Sequence, residues 1–393
     1  MQKIYLDNAS TTNISSDVLT EMLPVLGEVY GNPNNLHSFG REALNLIDKA
    51  RDRVASGINA DRSEIYFTSG GTEANNWALI GLALANKSRG NHIITSQIEH
   101  KSVLDTCKTL EKLGFEVTYL PVDKYGLVNI ADLIHYIGQK TILVSIMAAN
   151  NEIGTIQNLK TISKLAHEKN VLFHTDAVQA IGSFRIDVKD LDVDALTISG
   201  HKIHAPKGVG ALYVKKGVRI DPLIVGGTQE KGKRAGTLNV ASIVGLGKAV
   251  ENIVKDYVVT NKKIKKLKEY FAANLLKSIE HIVINGHHSQ SLPGILSVSF
   301  SFIEGESLML MLDLNGIAVS TGSACSTGSQ EKSHVLKAIG LQPEVAQGTI
   351  RFSFGANNTV EELDYVLDVV KKGVAKLRQM SPLKPSRKSS TNK

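Results

Sequence analysis

The sequence predicts an α/β protein with a large domain on a mostly parallel seven-stranded sheet, followed by a smaller α+β domain. Three observations carry this expectation. Short apolar runs alternate with helical patterns between residues 60 and 215, and the pattern changes after about residue 260. The chain of 393 residues is also long enough for one large and one smaller domain, at roughly 100–200 residues per domain.

The strand expectations, in order, are "EIYFT" (64–68), "HIITS" (92–96), "EVTYL" (116–120), "TILVSIM" (141–147), "VLFHT" (171–175), "ALTIS" (195–199) and "GALYV" (210–214). Helix-like stretches fall between most of them: "EANNWALIGLALANK", "KSVLDTCKTLEKLG" and "TISKLAHEKN". Such alternation places helices on both faces of a sheet. In open sheets of this kind, ligands collect where strand carboxyl ends meet the following loops. Polar residues just past these strands are therefore the candidates for function.

After residue 260 comes a basic helix, "NKKIKKLKEY" (261–270), with Ile264 and Leu267 at helical spacing. "HIVING", "GILSVSFSF", "SLMLMLDLNG", "IAVSTGSAC" and "TIRFSFG" follow, then a last helix starting at Thr359. Thr359 and Glu362 form a capping box. Leu363, Leu367, Val370, Val374 and Leu377 line one face. The expected division is an N-terminal segment 1–16 joining the small domain, a large domain 17–259, a small domain 260–380 and a disordered basic tail 381–393.

A charged fraction of 21% and a hydrophobic fraction of 42% are ordinary for a water-soluble globular protein. "MQKIYLDNASTT" does not read as a signal peptide. Apolar runs such as "ALIGLALA" (78–85) fall short of the ~20 residues that cross a bilayer, so no membrane association is expected. The two cysteines, Cys107 and Cys325, give neither a disulfide framework nor a CxxC metal pattern, which predicts a reducing, cytoplasmic setting. The net charge of +7 is concentrated in the tail and in a solvated helix face. No recognition motif accompanies it, so specific nucleic-acid binding is not expected.

No GxGxxG follows a strand, since "GVGALYV" has Tyr213 where the third glycine would stand, and GxxxxGK[ST] is missing too. What remains is a set of polar residues at successive strand ends. "FTSGGTEANN" (67–76) is a strand, a glycine turn and a helix; it reads either as an ordinary strand-to-helix turn or as a site whose free N–H groups, with the Thr72 hydroxyl, suit one phosphate. "FHTDAVQAIG" (173–182) ends a strand with Asp176, followed by Gln179. Asp176 reads either as a helix cap or as the partner of a protonated ring nitrogen. "TISGHKIHAPKGVGALYV" (197–214) presents Ser199, His201 and Lys202. A lysine there is commonly a solvated charge; desolvated near a cation, it becomes nucleophilic and forms Schiff bases. His100, in "TSQIEHKSV", either starts a helix or stacks on a ring. Together these features fit pyridoxal 5'-phosphate (PLP), which needs a lysine imine and an acidic partner for its pyridinium nitrogen. Cys325 stands in "STGSACSTGSQEKS" (320–333), where Ala324 is the one apolar residue. Reactive cysteines occupy such accessible settings, whereas Cys107 sits in an apolar run. Spacing alone leaves Cys325 open as a loop residue or a nucleophile.

From "YLDNASTT" to about Leu383 the sequence resembles the cysteine desulfurases of the NifS/IscS group, in the class V PLP-dependent aminotransferase family of fold type I. "YGNPNNLHSFG", "FTSGGTEANN", "EHKSVLDTC", "NNEIGTIQ", "HTDAVQAIG", "SGHKIHAPKGVGALYV", "GTLN", "STGSAC" and "TIRFSFG" occur in family order. The resemblance implies that Lys202 carries PLP, Asp176 faces the ring nitrogen, Gln179 bonds the ring hydroxyl and His100 stacks on the ring. Gly71, Thr72, Ser199 and His201 would hold the phosphate, with Thr237 reaching over from the partner of a homodimer. Asn151 and Arg351 would bind the substrate carboxylate. Lys202 would remove the Cα proton, His100 would exchange a proton with the substrate thiol, and Cys325 would take the sulfur as a persulfide, releasing alanine.

The expected activity is conversion of L-cysteine to L-alanine, with sulfur passed to an iron–sulfur scaffold or a tRNA-thiolating enzyme. A selenocysteine lyase or another class V aminotransferase is the alternative on the same fold, and a non-catalytic sulfur carrier is the alternative without chemistry. Ala205, Thr228, Gln229 and Lys332 stand where the family commonly has other residues.

Overall fold

The computed structural model describes residues 3–321 and 333–382. The expectations for Cys325, for Lys332 and for the tail beyond residue 382 lie outside the described residues.

A strand covered on both faces needs a nearly continuous apolar run, and residues 141–145, 195–199 and 210–214 are each buried throughout. In chain order the strands are β1 (Ile4–Tyr5), β2 (Ile65–Thr68), β3 (His92–Ser96), β4 (Glu116–Leu120), β5 (Thr141–Ser145), β6 (Leu172–Asp176), β7 (Ala195–Ser199), β8 (Gly210–Val214), β9 (Ile282–Asn285), β10 (Ile295–Phe300), β11 (Ile317–Ala318), β12 (Ser320–Thr321) and β13 (Thr349–Ser353). The helices are α1 (Ser16–Gly27), α2 (Ser38–Gly57), α3 (Gly71–Ala85), α4 (Lys101–Lys112), α5 (Ile130–Tyr136), α6 (Leu159–His167), α7 (Val188–Leu191), α8 (Val240–Ser278), α9 (Gly305–Asp313), α10 (His334–Ala338), α11 (Pro343–Ala346) and α12 (Val360–Met380).

The large sheet has seven strands in the order β2-β8-β7-β6-β5-β3-β4. β8 runs antiparallel to both neighbours and the other pairs are parallel. The register places Val144 beside Phe173, Thr175 beside Leu196 and Ile198 beside Ala211. Apolar layers cover both faces. Phe67, Phe173, Ile198, Leu246 and Val250 pack in one core, and Trp77, Leu79, Val103 and Leu212 in another. This is the expected α/β architecture with its mostly parallel seven-stranded sheet.

A second sheet, β12-β13-β10-β9, is antiparallel. Its core gathers Phe271, Phe300, Phe352, Leu363, Val370 and Val374. The capping box at the start of α12 is present, with Thr359 accepting from the Glu362 backbone and Glu362 returning the bond. Such caps are worth about 1 kcal/mol each. β1 joins this half by pairing parallel with β11, Ile4 beside Ile317.

Two connections position the site. α8 is a single 39-residue helix that runs without a break past residues 259 and 260. Its first half buries Leu246 and Val250 in the large core, and its second half buries Leu267 and Phe271 in the small one. α10 lies late in the chain yet packs on the large half, with Val335, Leu336 and Ile339 against Ile98, Met147 and Ile153.

Candidate active site

Residues at or just past the ends of β2, β3, β5, β6 and β7 border one cavity of about 740 Å³. It brings together Gly71, Thr72, His100, Asn151, Asp176, Gln179, Ser199, His201, Lys202 and Arg351, ten of the residues singled out from the sequence. Thr237 is exposed and lies outside this lining.

The turn between β2 and α3 depends on its glycines. Gly70 has φ 151°, in the region that disfavours any side chain. A Cβ on Gly71 would sit 2.9 Å from Val178 Cγ2 and 3.3 Å from Ser199 Cβ. α3 starts without a side-chain cap, so its first N–H groups are available beside Thr72, Ser199 and His201. Burial, with the charges of Lys202, Lys207 and His100, pushes the His201 imidazole down to about 4. His201 therefore enters the site as a neutral hydrogen-bonding group, with Nδ1 3.2 Å from Thr11 Oγ1.

Asp176 ends β6, and a turn follows it rather than a helix, so its cap reading does not apply. Its Oδ2 accepts from Asn75 Nδ2 at 2.7 Å and its Oδ1 from Val178 N at 2.9 Å. Lys202 is partly buried. Its Nζ donates to the carbonyls of Ala9 at 2.6 Å and Ser10 at 2.7 Å, so it is not the solvated lysine a glycine-rich turn commonly carries. Gln179 Nε2 donates to the same Ala9 carbonyl at 2.9 Å.

His100 starts a helix, the first of its two sequence readings. It is the N-cap of α4, with Nδ1 accepting from Ser102 N at 3.1 Å, and it also borders the cavity. An acceptor Nδ1 assigns the proton of the neutral ring to Nε2.

Arg351, only 4% exposed, donates Nη1 to the Asn151 carbonyl at 2.8 Å. Nη2 donates to Asp7 Oδ1 at 3.0 Å and Ser10 Oγ at 2.8 Å. Its Nε is buried without a partner among the described residues. A guanidinium has five N–H donors, so the fork keeps capacity for a carboxylate.

Three buried polar residues escaped the sequence analysis. Asn75, one turn into α3, holds Asp176 and has an unpartnered Oδ1 among the described residues. Glu152, 8% exposed, accepts from Ser333 Oγ at 2.5 Å, and burial raises its carboxyl to about 7. Glu99 is fully buried and raised to about 8 by desolvation. Asn75 and Glu152 lie inside "FTSGGTEANN" and "NNEIGTIQ". Their positions were visible, but their burial was not.

The core beneath the site gives a pH prediction. His174 is wholly buried between Ser145 Oγ and Thr197 Oγ1, and desolvation holds it down at about 3. A depressed histidine is neutral in the fold and protonated in the unfolded chain, so stability is lost as pH falls from about 6.5 toward 4. Glu99 and Glu152, raised in the fold, oppose this by favouring the fold at lower pH. His174→Gln should therefore lose less stability than wild type between pH 6.5 and pH 4, read as the difference in melting temperature. Equal slopes would show that His174 does not contribute.

Residues 4–366 match the aminotransferase class-V family, and the chain belongs to that family. The cysteine desulfurase IscS of Methanosarcina thermophila is 52% identical to it over 382 residues, covering 97% of this chain and 94% of that protein. A solved NifS-like protein superposes with a TM-score of 0.91 at 42% identity, covering 96% of this chain and 100% of the other. SspA, solved in complex with cysteine, gives a TM-score of 0.81 at 37% identity over 91% of this chain and 100% of its own.

Proposed function

We propose that this protein is a PLP-dependent cysteine desulfurase that converts L-cysteine to L-alanine and hands on the sulfur from a persulfide on Cys325. One observation carries the reading: Lys202, Asp176 and Arg351, from distant parts of the chain, line a single cavity in a protein 52% identical to a cysteine desulfurase.

The cavity suits PLP. The uncapped start of α3, with Gly71, Thr72, Ser199 and His201, would hold the phosphate. Asp176 would pair with the ring nitrogen, Gln179 with the ring hydroxyl and Lys202 with the aldehyde carbon, while His100 would lie against the ring. When bound, PLP supplies the electron sink that weakens bonds at the substrate Cα.

The chain's own groups supply the rest. Arg351 and Asn151 bind and orient the substrate carboxylate. Lys202 Nζ moves the Cα proton, and its two carbonyl acceptors fix where that amine stands. His100 gives a proton from Nε2. In the net reaction the substrate Cβ–S bond breaks and an S–S bond forms to Cys325 Sγ. The thiol hydrogen balance leaves alanine and one enzyme persulfide.

A homodimer is part of the proposal. Leu19, Leu23 and Leu26 of α1, with Tyr30, Leu36 and Phe39 beyond it, are each exposed, and the Tyr30 and Phe39 rings lie 5.5 Å apart. Exposed large apolar side chains concentrated in one stretch of chain support a partner there, and the exposed Thr237 supports donation to a neighbouring site. The two cores support a division near residue 259, and of residues 1–16 Ile4 and Leu6 belong to the small core whereas Ala9 belongs to the large one. None of the described helices is long and apolar enough to cross a membrane; a cytoplasmic setting, with an iron–sulfur scaffold or a tRNA-thiolating enzyme as acceptor, completes the proposal.

The test is to incubate the purified protein with L-cysteine and a thiol reductant and to quantify both products. Alanine and sulfide in equal amounts are expected. Turnover of selenocysteine alone would establish the lyase alternative, and no turnover of either would leave only the carrier.

A further inference from the structure

The first turn of α3 contains an oddity for a phosphate site. Glu73 sits there, and its Oε2 accepts from Ser69 N at 2.7 Å. The carboxylate thereby pins the glycine turn from behind. A second anion bound at the Gly71–Thr72 turn would be repelled by it, and the repulsion would be poorly screened because the Glu73 side chain is only 10% exposed.

Arg234 cancels that charge. Its Nε lies 2.7 Å from Glu73 Oε1 and its Nη2 3.0 Å from Oε2, a bidentate pair with the geometry that suits a guanidinium and a carboxylate. Burial works to raise the Glu73 carboxyl, but the bonds from Arg234 and Ser69 outweigh it and hold it below the ordinary range.

The segment bearing Arg234 is itself held at a cost. Glu230 and Lys231 adopt φ 46° and 59°, left-handed values unfavourable for side-chain-bearing residues. Glu230, buried, is fixed by Arg51 at 2.6 Å and by Phe67 N at 2.9 Å. Phe67 belongs to β2, the strand that leads into the same turn.

We infer that Arg234 is a positioning residue for the PLP phosphate: it neutralises Glu73, so that the carboxylate can hold the Ser69–Gly71 turn without repelling the anion. The inference rests on the reading that PLP binds here with its phosphate at α3. The pair also joins the Ser69–Gly71 turn to the segment that carries Thr237, three residues after Arg234.

The test uses the full-length protein stripped of cofactor and titrated with PLP, and separately with pyridoxal, which lacks the phosphate. Absorbance reports binding in both cases. Arg234→Gln should weaken PLP by about tenfold or more through the uncancelled charge while changing pyridoxal by less than about threefold. Adding Glu73→Gln to that variant should restore PLP to within about threefold of wild type, because both charges are then gone. Equal weakening of PLP and pyridoxal, or a double variant as weak as the single one, would show a pair that merely stabilises the fold and would overturn the inference. If wild type bound neither compound, the cofactor reading would fail, and the inference with it.

Discussion

Lys202→Ala is expected to lower turnover of L-cysteine by about 10³-fold or more and to remove the visible absorption of lysine-bound PLP. Proton transfer by a positioned side chain contributes typically 10²–10⁴-fold, and the same amine also anchors the cofactor. The effect on folding should be small. The variant strands the Ala9 and Ser10 carbonyls, which lose their Nζ donor, but Ala9 still accepts from Gln179. Kinetics with L-cysteine and an absorbance spectrum check both parts. Surviving turnover would sink the proposed mechanism.

Cys325→Ser should keep the PLP spectrum and abolish release of sulfur from cysteine. A serine hydroxyl is not ionised near neutral pH, whereas a thiol supplies the thiolate that attacks sulfur. Cys107 cannot take over. It lies on the buried face of α4, and desolvation, with the charges of Glu99 and Glu111, drives its thiol far up. The measurement is sulfide release under reductant, beside a mass spectrum for the persulfide. Unchanged release would favour the lyase alternative.

Much of this was legible locally. "HIITS", "EVTYL", "ALTIS" and "GALYV" are strands over the residues named from the sequence, because a short apolar run between polar turns has few other ways to bury itself. The Thr359–Glu362 cap was equally local. Expectations that depended on distant residues fared differently. Nothing within a few residues of Asp176 reveals that Asn75 will hold it, or that a turn rather than a helix follows. Glu73 looks like an ordinary acid at a helix start, and its meaning comes from Arg234, which the chain brings back after many intervening residues. Glu152 reads as polar in a turn, yet burial raises its carboxyl, with the bond from distant Ser333 opposing the rise. Spacing reports which face a residue takes, and burial by another element decides what its proton does.

The stretch from Ile4 to Ser15 is a ribbon stitched to both halves of the molecule. It pairs with β11, ties Arg351 through Asp7 and supplies both oxygens that hold Lys202. Thr12 and Ser15 then fasten it to the backbone of His201 and His204. Clipping or splicing this ribbon near residue 8 would therefore misplace the lysine and the arginine together, silencing the enzyme while every assigned side chain remained intact.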